Sequence, residues 1–165
     1  MLIAKEKGVL KMSKFYLAYG SNLNIRQMKI RCPNSEPVGT AVINGYGLLF
    51  KGSKTGAYLT IEKAENSAVP AAIFKVSESD ERRLDAYEGY PNFYYKTQME
   101  LPVKFLENGR IKRITAFVYI MHEDRKIGIP SKKYVETCIE GYRNFGFDKE
   151  FLEMALKKSL KGCRK

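Results

Sequence analysis

The order of strand-like and helix-like segments is the feature that most constrains the fold of this chain. Six segments are rich in β-branched and aromatic residues, often alternating with polar ones: 15–19, 38–50, 57–63, 69–76, 93–105 and 112–121. Helical spacing occurs in four others: 24–31, 78–88, 131–145 and 148–160. Gly, Pro and Asn separate the segments. Because strands outnumber helices and do not alternate strictly with them, we predict an α+β fold built on a curled sheet or small barrel.

The chain is predicted to form one domain, because it shows no repeat and no low-complexity linker and its length suits one core. Residues 13–165 carry the strand and helix pattern, and residues 1–12 precede it as an N-terminal extension. Met12 directly precedes the first strand and is a candidate for the natural start. We therefore expect deletion of Met1 to Lys11 to leave activity and melting unchanged.

The formal net charge of +11 suggests acidic partners. The basic residues do not form one block, and neither zinc-finger spacing nor an RNP-like aromatic motif is present. We therefore expect a basic surface that attracts anionic metabolites, and no binding to nucleic acid. No apolar run approaches the roughly 20 residues of a membrane helix, and the charged N-terminus does not resemble a signal peptide. The predicted location is cytoplasmic, with no membrane partner.

Cysteine and histidine usage predicts no metal site. Cys32, Cys138 and Cys163 are far apart and show no CxxC spacing, so we expect free thiols. His122 is the single histidine and stands in the sequence HED. Adjacent residues converge poorly on one ion, and no second cluster is present. We expect His122 to lie in a solvated loop at the end of a strand.

The stretch FYLAYGSNL leaves a predicted strand through Gly20, Ser21 and Asn22 and continues into a predicted helix. Gly20 permits a tight turn and the close approach of a ligand, and Ser21 or Asn22 can cap the helix. Free N–H groups and the helix dipole favour an anion there. The stretch matches neither the P-loop nor GxGxxG, so a small carboxylate fits better than a nucleotide. A plain strand–turn–helix connection is the alternative.

Glu88 ends the second predicted helix, immediately before Gly89. The helix C-terminus carries partial negative charge, which opposes ionisation and should raise the pKa of Glu88. Asp85 is one helical turn earlier and would raise that pKa further if it shared a face. Aromatic residues surround the motif: Tyr87, Tyr90, Phe93, Tyr94 and Tyr95. A carboxyl group tuned upward suits a general acid/base near neutral pH; the alternative is an exposed glutamate beside a turn.

FYLAYGSNL together with LDAYEGY resembles the gamma-glutamylcyclotransferase family and its AIG2-like relatives. In that family a Tyr-Gly-Ser-Asn-Leu loop binds the gamma-glutamyl group, and a Glu in a Leu-Asp-x-x-Glu-Gly motif is the general acid/base. Tyr95 and Tyr134 fall where the family has substrate-pocket tyrosines, with core tyrosines as the alternative reading. The resemblance spans about 15–156 and implies a small mixed β-barrel with flanking helices.

The resemblance also implies the chemistry. The α-amine of a gamma-glutamyl compound attacks its own γ-carbonyl, 5-oxoproline forms, and an amine or amino acid leaves. The nucleophile belongs to the substrate, so no metal or cofactor is expected. Glu88 is the expected catalytic residue. The residues expected to bind substrate are Tyr16, Leu17, Ala18, Tyr19, Gly20, Ser21, Asn22, Leu23, Tyr95 and Tyr134. The loop N–H groups would hold the α-carboxylate or polarise the γ-carbonyl.

Two alternatives to this reaction stay open. The substrate is either a gamma-glutamyl amino acid or, within the same superfamily, a gamma-glutamylamine or other gamma-glutamyl metabolite. A protein of another class, a basic binding protein that keeps the fold without catalysis, is the remaining alternative. The resemblance is compatible with a monomer or a homodimer.

Overall fold

The computed structural model describes residues 3–6, 9–53 and 56–163. The strands are β1 Ile3–Glu6, β2 Val9–Met12, β3 Lys14–Ala18, β4 Glu36–Ser53, β5 Gly56–Val76, β6 Tyr94–Phe105, β7 Ile111–Met121 and β8 Lys126–Ile127. The helices are a 3₁₀ turn Ser21–Leu23, α1 Ile25–Arg31, α2 Glu78–Glu88, α3 Lys132–Phe145 and α4 Glu150–Gly162. The predicted strand and helix segments thus fall close to observed elements, whereas β1, β2 and β8 were not predicted.

Five strands close into a mixed barrel. The order is β5-β3-β7-β6-β4, and a further pairing of β4 with β5 completes the circle. The β3–β7 pair is parallel and the others in the circle are antiparallel. The short β8 pairs with the end of β4, and β1 and β2 form a separate hairpin. The prediction of an α+β fold with a small mixed barrel and flanking helices is confirmed.

β4 and β5 form one long hairpin where the sequence pattern predicted a break. The predicted strands 57–63 and 69–76 are both parts of β5 and pair with successive halves of β4. The register shifts between Asn44 and Tyr46 of β4. An insertion of this kind bends a strand and disrupts pairing locally without ending it. Residues 64–68, which separate the two predicted strands, therefore lie within the bent strand β5.

The core fills the barrel and the space beneath the helices. Alternate residues of a strand face opposite sides, and the inward set includes Leu17, Phe50, Ile61 and Ile73, all fully buried. Helix α3 buries Cys138, Gly141 and Tyr142, and α4 buries Leu152 and Ala155. Cys32 and Cys138 are buried as free thiols, and Cys163 is exposed.

Local signals set both ends of α2. The Ser77 side chain accepts a hydrogen bond from the Asp80 N–H, and the Asp80 carboxylate accepts one from the Ser77 N–H. This reciprocal capping box satisfies two N–H groups at the start of the helix, and both of its residues lie within one helical turn. Gly89 ends the helix with φ of 62°, a left-handed conformation that favours glycine. Glu88 is therefore the last residue of the helix, directly before a sharp change of chain direction.

Candidate active site

A cavity of about 420 Å³ opens where the barrel meets the end of α2. Its lining combines residues from β3 and the turn after it, β5, α2, β6, β7 and α3. These are Tyr16, Tyr19, Gly20, Ser21, Asn22, Tyr58, Leu59, Ala86, Tyr87, Glu88, Gly89, Phe93, Tyr94, Tyr119 and Tyr134. Among these lining residues, Glu88 is the one whose side chain bears a formal charge near neutral pH. The site is thus a mainly aromatic pocket around a single carboxyl group.

The Glu88 carboxyl is half-buried and has a pKa raised to about 7. Removal from water is the main cause, because burial disfavours the charged form, and the Arg31 cation acts in the opposite direction. The direction agrees with the sequence-based expectation, but the cause differs in part. Asp85 forms an ion pair with Lys96 Nζ at 2.8 Å and accepts a hydrogen bond from the Tyr119 hydroxyl at 2.6 Å. The positive charge of Lys96 therefore offsets the negative charge of Asp85, and Asp85 is not a cause of the raised pKa of Glu88.

Asn22 connects Glu88 to the strand β3 side of the cavity. Its amide nitrogen donates to Glu88 Oε1 at 3.3 Å and to the Tyr16 hydroxyl at 3.0 Å. Its amide oxygen accepts from Arg31. All the main hydrogen-bonding positions of this buried side chain are thus used. Asn22 holds the carboxyl at a defined position relative to the turn.

The turn after β3 differs from the predicted direct entry into a helix. One turn of 3₁₀ helix intervenes. In this turn the Leu23 N–H donates to the Gly20 carbonyl, and the Asn24 N–H donates to the Ser21 carbonyl. The N–H groups of Ser21 and Asn22 begin that helix and have no partner within it. The Leu23 N–H is therefore not available to a ligand, and fewer N–H groups of the turn can bind an anion than the sequence suggested.

The cap of α1 also lies elsewhere than predicted. Asn24, and neither Ser21 nor Asn22, caps the helix by accepting from the Gln27 N–H at 3.1 Å. The Asn24 amide nitrogen donates to Glu140 of α3 at 3.0 Å. The start of α1 is thus packed against α3, and the Ser21 hydroxyl is free to lie 3.3 Å from the Tyr87 hydroxyl across the cavity.

Tyr134 reaches the cavity from α3. Its hydroxyl accepts from the Leu59 N–H at 3.0 Å, and the Leu59 carbonyl accepts from the Tyr94 hydroxyl at 2.7 Å. A side chain added at Gly20 would meet Leu59 at 3.4 Å and the Tyr134 hydroxyl at 3.7 Å. Tyr134, Leu59 and Tyr94 thus form the wall of the cavity that faces the turn after β3.

Tyr95 does not line this cavity, so its placement in the same pocket is a correction to the sequence-based expectation. Its hydroxyl donates to Glu123, and it lies with Tyr46 and Ile120 in a separate depression. Tyr94 occupies the cavity instead. The physical reason is the alternation of β6, because neighbouring residues of a strand point to opposite faces.

The remaining predicted residues divide between the cavity and the core. Tyr16 and Tyr19 line the cavity, and the Tyr19 hydroxyl donates to the Tyr119 carbonyl at 2.6 Å. Leu17, Ala18 and Leu23 are buried in the hydrophobic core outside the lining. This corrects their expected place in the pocket; Leu17 faces away from Tyr16, for example, because neighbouring residues of a strand point to opposite faces.

Sequence reasoning missed several residues of the site. Arg31 contacts the lining residue Asn22, and Leu59 lines the cavity, yet neither belongs to a motif that marks it. Tyr87 lies within LDAYEGY and lines the cavity, but it was not among the residues expected to bind substrate. The YYK and YEGY stretches indicated aromatic surroundings without showing which rings face inward. Within the described residues no group of His, Cys, Asp or Glu is arranged to hold a metal ion. In the same part of the chain, no helix is both long and apolar enough to cross a membrane.

The fold and cavity define a class of protein: a small mixed-barrel protein that encloses one tuned carboxyl group in an aromatic pocket. The sequence profile described as "Gamma-glutamyl cyclotransferase, AIG2-like" matches residues 16–136. The chain belongs to this gamma-glutamyl cyclotransferase family. A search of curated proteins found no match.

Solved structures show the same fold. A protein described as "Gamma-glutamyl cyclotransferase" is 26% identical with a TM-score of 0.72, and the match covers 87% of this chain and 86% of that one. An uncharacterized human protein is 27% identical with a TM-score of 0.71 and the same coverage of 87% and 86%. A glutathione-specific cyclotransferase from yeast is 13% identical, with a TM-score of 0.59 over 90% and 96% of the two chains, and shares the fold alone.

Proposed function

We propose that this protein cyclises a gamma-glutamyl amide to 5-oxoproline and releases an amine or amino acid, with Glu88 as general acid/base. The observation that carries the proposal is the Glu88 carboxyl, which burial in the aromatic cavity desolvates to a pKa of about 7. Near neutral pH such a group has substantial populations of both protonation states, so it can accept a proton and return one. Family membership supports the reaction type.

The proposed reaction begins when the Glu88 carboxylate takes a proton from the substrate's α-ammonium group. The freed amine then attacks the γ-carbonyl carbon, and a new C–N bond closes the five-membered ring. As the γ-carbon releases its original nitrogen, Glu88 returns the proton to that nitrogen. The ring nitrogen must lose a second proton to become the lactam N–H, and Glu88 passes this proton to the released amine, which leaves as an ammonium ion. Atoms and charge balance without water. Holding the substrate folded for this attack supplies about 7–11 kcal/mol in favourable intramolecular systems.

Donors for the rest of the substrate come from the turn after β3. The N–H groups of Ser21 and Asn22 and the Ser21 hydroxyl are available at the cavity wall. They suit the substrate's α-carboxylate, or the γ-carbonyl oxygen as it gains negative charge. The aromatic rings of Tyr16 and Tyr94 would exclude water from the folded glutamyl chain.

A gamma-glutamylamine is the second candidate substrate. None of the described residues that line the cavity is Lys or Arg. The carboxylate of a leaving amino acid would therefore meet no cationic side chain there, whereas an amine that lacks a carboxylate needs none. Tyr58 and Phe93 offer aromatic surface for the carbon chain of such an amine.

The test is to measure 5-oxoproline from several gamma-glutamyl amino acids and gamma-glutamylamines. Wild-type protein should turn over at least one of them. Glu88→Gln should lower kcat by about 10²–10⁴-fold, because the acid/base is lost while the pocket shape is kept. Glu78→Gln, the same change at the exposed start of α2, is the matched control and should stay within about twofold. Turnover of no amide would favour a binding protein; equal activity in Glu88→Gln would refute the mechanism.

A further inference from the structure

Arg31, the last residue of α1, contacts two lining residues of the cavity, Asn22 and Tyr87, without lining the cavity itself. Its Nη1 donates to the Asn22 amide oxygen on the turn side. Its guanidinium carbon lies 3.4 Å from the centroid of the Tyr87 ring, next to Glu88 in α2. One half-buried cation thus joins the two elements that bear Asn22 and Glu88.

The contact with Arg31 decides which way the Asn22 amide faces. A guanidinium group has donors and no acceptor, so Asn22 must present its oxygen to Arg31. The amide nitrogen then points to Glu88 Oε1, 3.3 Å away. If the amide were reversed, its oxygen would oppose the carboxylate and the hydrogen bond would become a repulsion. Arg31 therefore acts on Glu88 through the orientation of Asn22.

Arg31 also acts on Glu88 through its charge. The other titratable groups facing Glu88 are tyrosines that stay neutral near pH 7, from β3 and its turn, β6, β7 and α3: Tyr16, Tyr19, Tyr94, Tyr119 and Tyr134. The nearby Asp85 is paired with Lys96. Among the described residues, Arg31 is the cation that opposes the effect of burial on the pKa of Glu88.

Building on the proposed function, we propose that Arg31 is a positioning residue that orients Asn22 and Tyr87 so that the Glu88 carboxyl faces the substrate. Two properties are required together. The planar guanidinium stacks on the Tyr87 ring while one of its N–H groups fixes Asn22, and its fixed charge favours the ionised form of Glu88. A lysine supplies the charge but lacks the plane and the fork of donors.

The experiment compares Arg31→Met and Arg31→Lys by the pH profile of kcat/KM on the best substrate, with folding checked by circular dichroism. Arg31→Met should lower kcat about tenfold or more with little change in KM, and its acid limb should move to higher pH. Arg31→Lys should keep the acid limb near its wild-type position but still lose several-fold in kcat. Arg26→Met, an exposed arginine of the same helix, is the matched control and should stay within about twofold.

Two further measurements separate this inference from the proposed function. The Glu88 side-chain carbon, labelled with ¹³C and assigned by its loss in Glu88→Gln, should titrate at higher pH in Arg31→Met even if no gamma-glutamyl amide is turned over. The losses of Arg31→Met and Asn22→Ala should be less than additive in the double variant, because part of the effect of Arg31 passes through its contact with Asn22. An unchanged Glu88 titration, fully additive losses, or a loss of kcat equal to the loss of folded protein would each overturn the role of Arg31.

Discussion

Glu88 combines a nearly balanced proton equilibrium with a fixed position. Burial removes water from its carboxyl group, and the pKa rises to about 7. Asn22 donates one hydrogen bond to it, so the group is held in place without being neutralised by an ion pair. A salt bridge in place of this amide would stabilise the carboxylate and lower its pKa, which would leave too little of the protonated form to return a proton.

The raised pKa of Glu88 predicts a pH-dependent stability. The unfolded chain has a Glu pKa near 4.3, so between that value and about 7 the folded state binds more protons. The stabilisation that Glu88 gives the folded state is fully present below the pKa of the unfolded chain. It is lost as the pH rises through the pKa of Glu88 in the folded protein. Glu88→Gln should therefore exceed wild type in unfolding free energy by about 1–3 kcal/mol at pH 8, and the difference should shrink towards pH 4.

Urea unfolding from pH 4 to pH 8 checks this expectation. Glu78→Gln, in the exposed first turn of α2, provides the comparison for the same chemical change. A constant difference between Glu88→Gln and wild type at all pH values would show that the folded protein does not shift the pKa of Glu88.

Tyr94 and Tyr95 test the placement of β6. The Tyr94 hydroxyl donates to the Leu59 carbonyl at the cavity wall, whereas the Tyr95 hydroxyl donates to Glu123 at the surface. Tyr94→Phe should cost about 1 kcal/mol of stability and reduce kcat/KM several-fold, because the Leu59 carbonyl in the cavity wall loses its hydrogen bond from Tyr94. Tyr95→Phe should leave kcat/KM within about twofold. A larger activity loss in Tyr95→Phe than in Tyr94→Phe would contradict the assigned register.

The end of α2 is a structural element with two separate tasks. It must stop the helix at Glu88, and it must turn the chain towards Phe93 and β6. Gly89 does both in a left-handed conformation, and its N–H returns to carbonyls of the last helical turn. The catalytic candidate is therefore positioned by a C-cap, a local device that is readable from sequence.

Gly89→Ala should destabilise the protein and lower activity. A left-handed alanine costs about 1 kcal/mol, and its Cβ would lie 3.1 Å from the Phe93 Cβ. Gly146→Ala is the matched control: Gly146 caps α3 with φ of 70° and has open space around it. Both variants should lose about 1 kcal/mol by thermal unfolding, but Gly89→Ala alone should lower kcat. Equal activities would indicate that the C-cap does not position Glu88.

In the molecule as a whole, α3 packs against the turn that walls the cavity. A Cβ at Gly141 would lie 2.6 Å from the Asn24 nitrogen and 2.7 Å from the Leu23 carbonyl carbon. Asn144 of the same helix accepts from the Ile25 N–H at 2.9 Å. The excess positive charge of +11 lies outside the described cavity lining, where Glu88 is the charged residue. Distant parts of the chain thus support one small acidic pocket.

Gly141→Ala should move this turn and lower both stability and activity. In an open helix the change would stabilise by about 1 kcal/mol, yet here the new methyl group overlaps backbone atoms, so we expect a net loss of about 1–3 kcal/mol. Gly162→Ala, in α4, meets Ile127 at an ordinary 3.4 Å and should be neutral or stabilising. Chemical unfolding with 5-oxoproline assays checks both, and a Gly141→Ala protein as stable and active as wild type would contradict the close packing.

Local chemistry made much of the fold and part of the site predictable. The capping box at Ser77 and the stop at Gly89 depend on residues within one helical turn, so the sequence by itself determined α2 and the position of Glu88 at its end. Residue types also marked most of the barrel strands, although two of the predicted segments are parts of the single strand β5. The YGSNL motif contains Asn22, and the family resemblance pointed to Tyr134; both residues line the cavity, and their roles in binding substrate stay predictions.

Tertiary structure decided everything that depends on which faces meet. Asn22 and Glu88 are 66 positions apart, and their contact exists only because the barrel closes. The choice of Tyr94 over Tyr95 follows from the register of β6, since one position along a strand reverses the facing side. The pKa of Glu88 is raised mainly by desolvation, and the water around a side chain is removed by neighbours from all over the chain rather than by its own sequence motif.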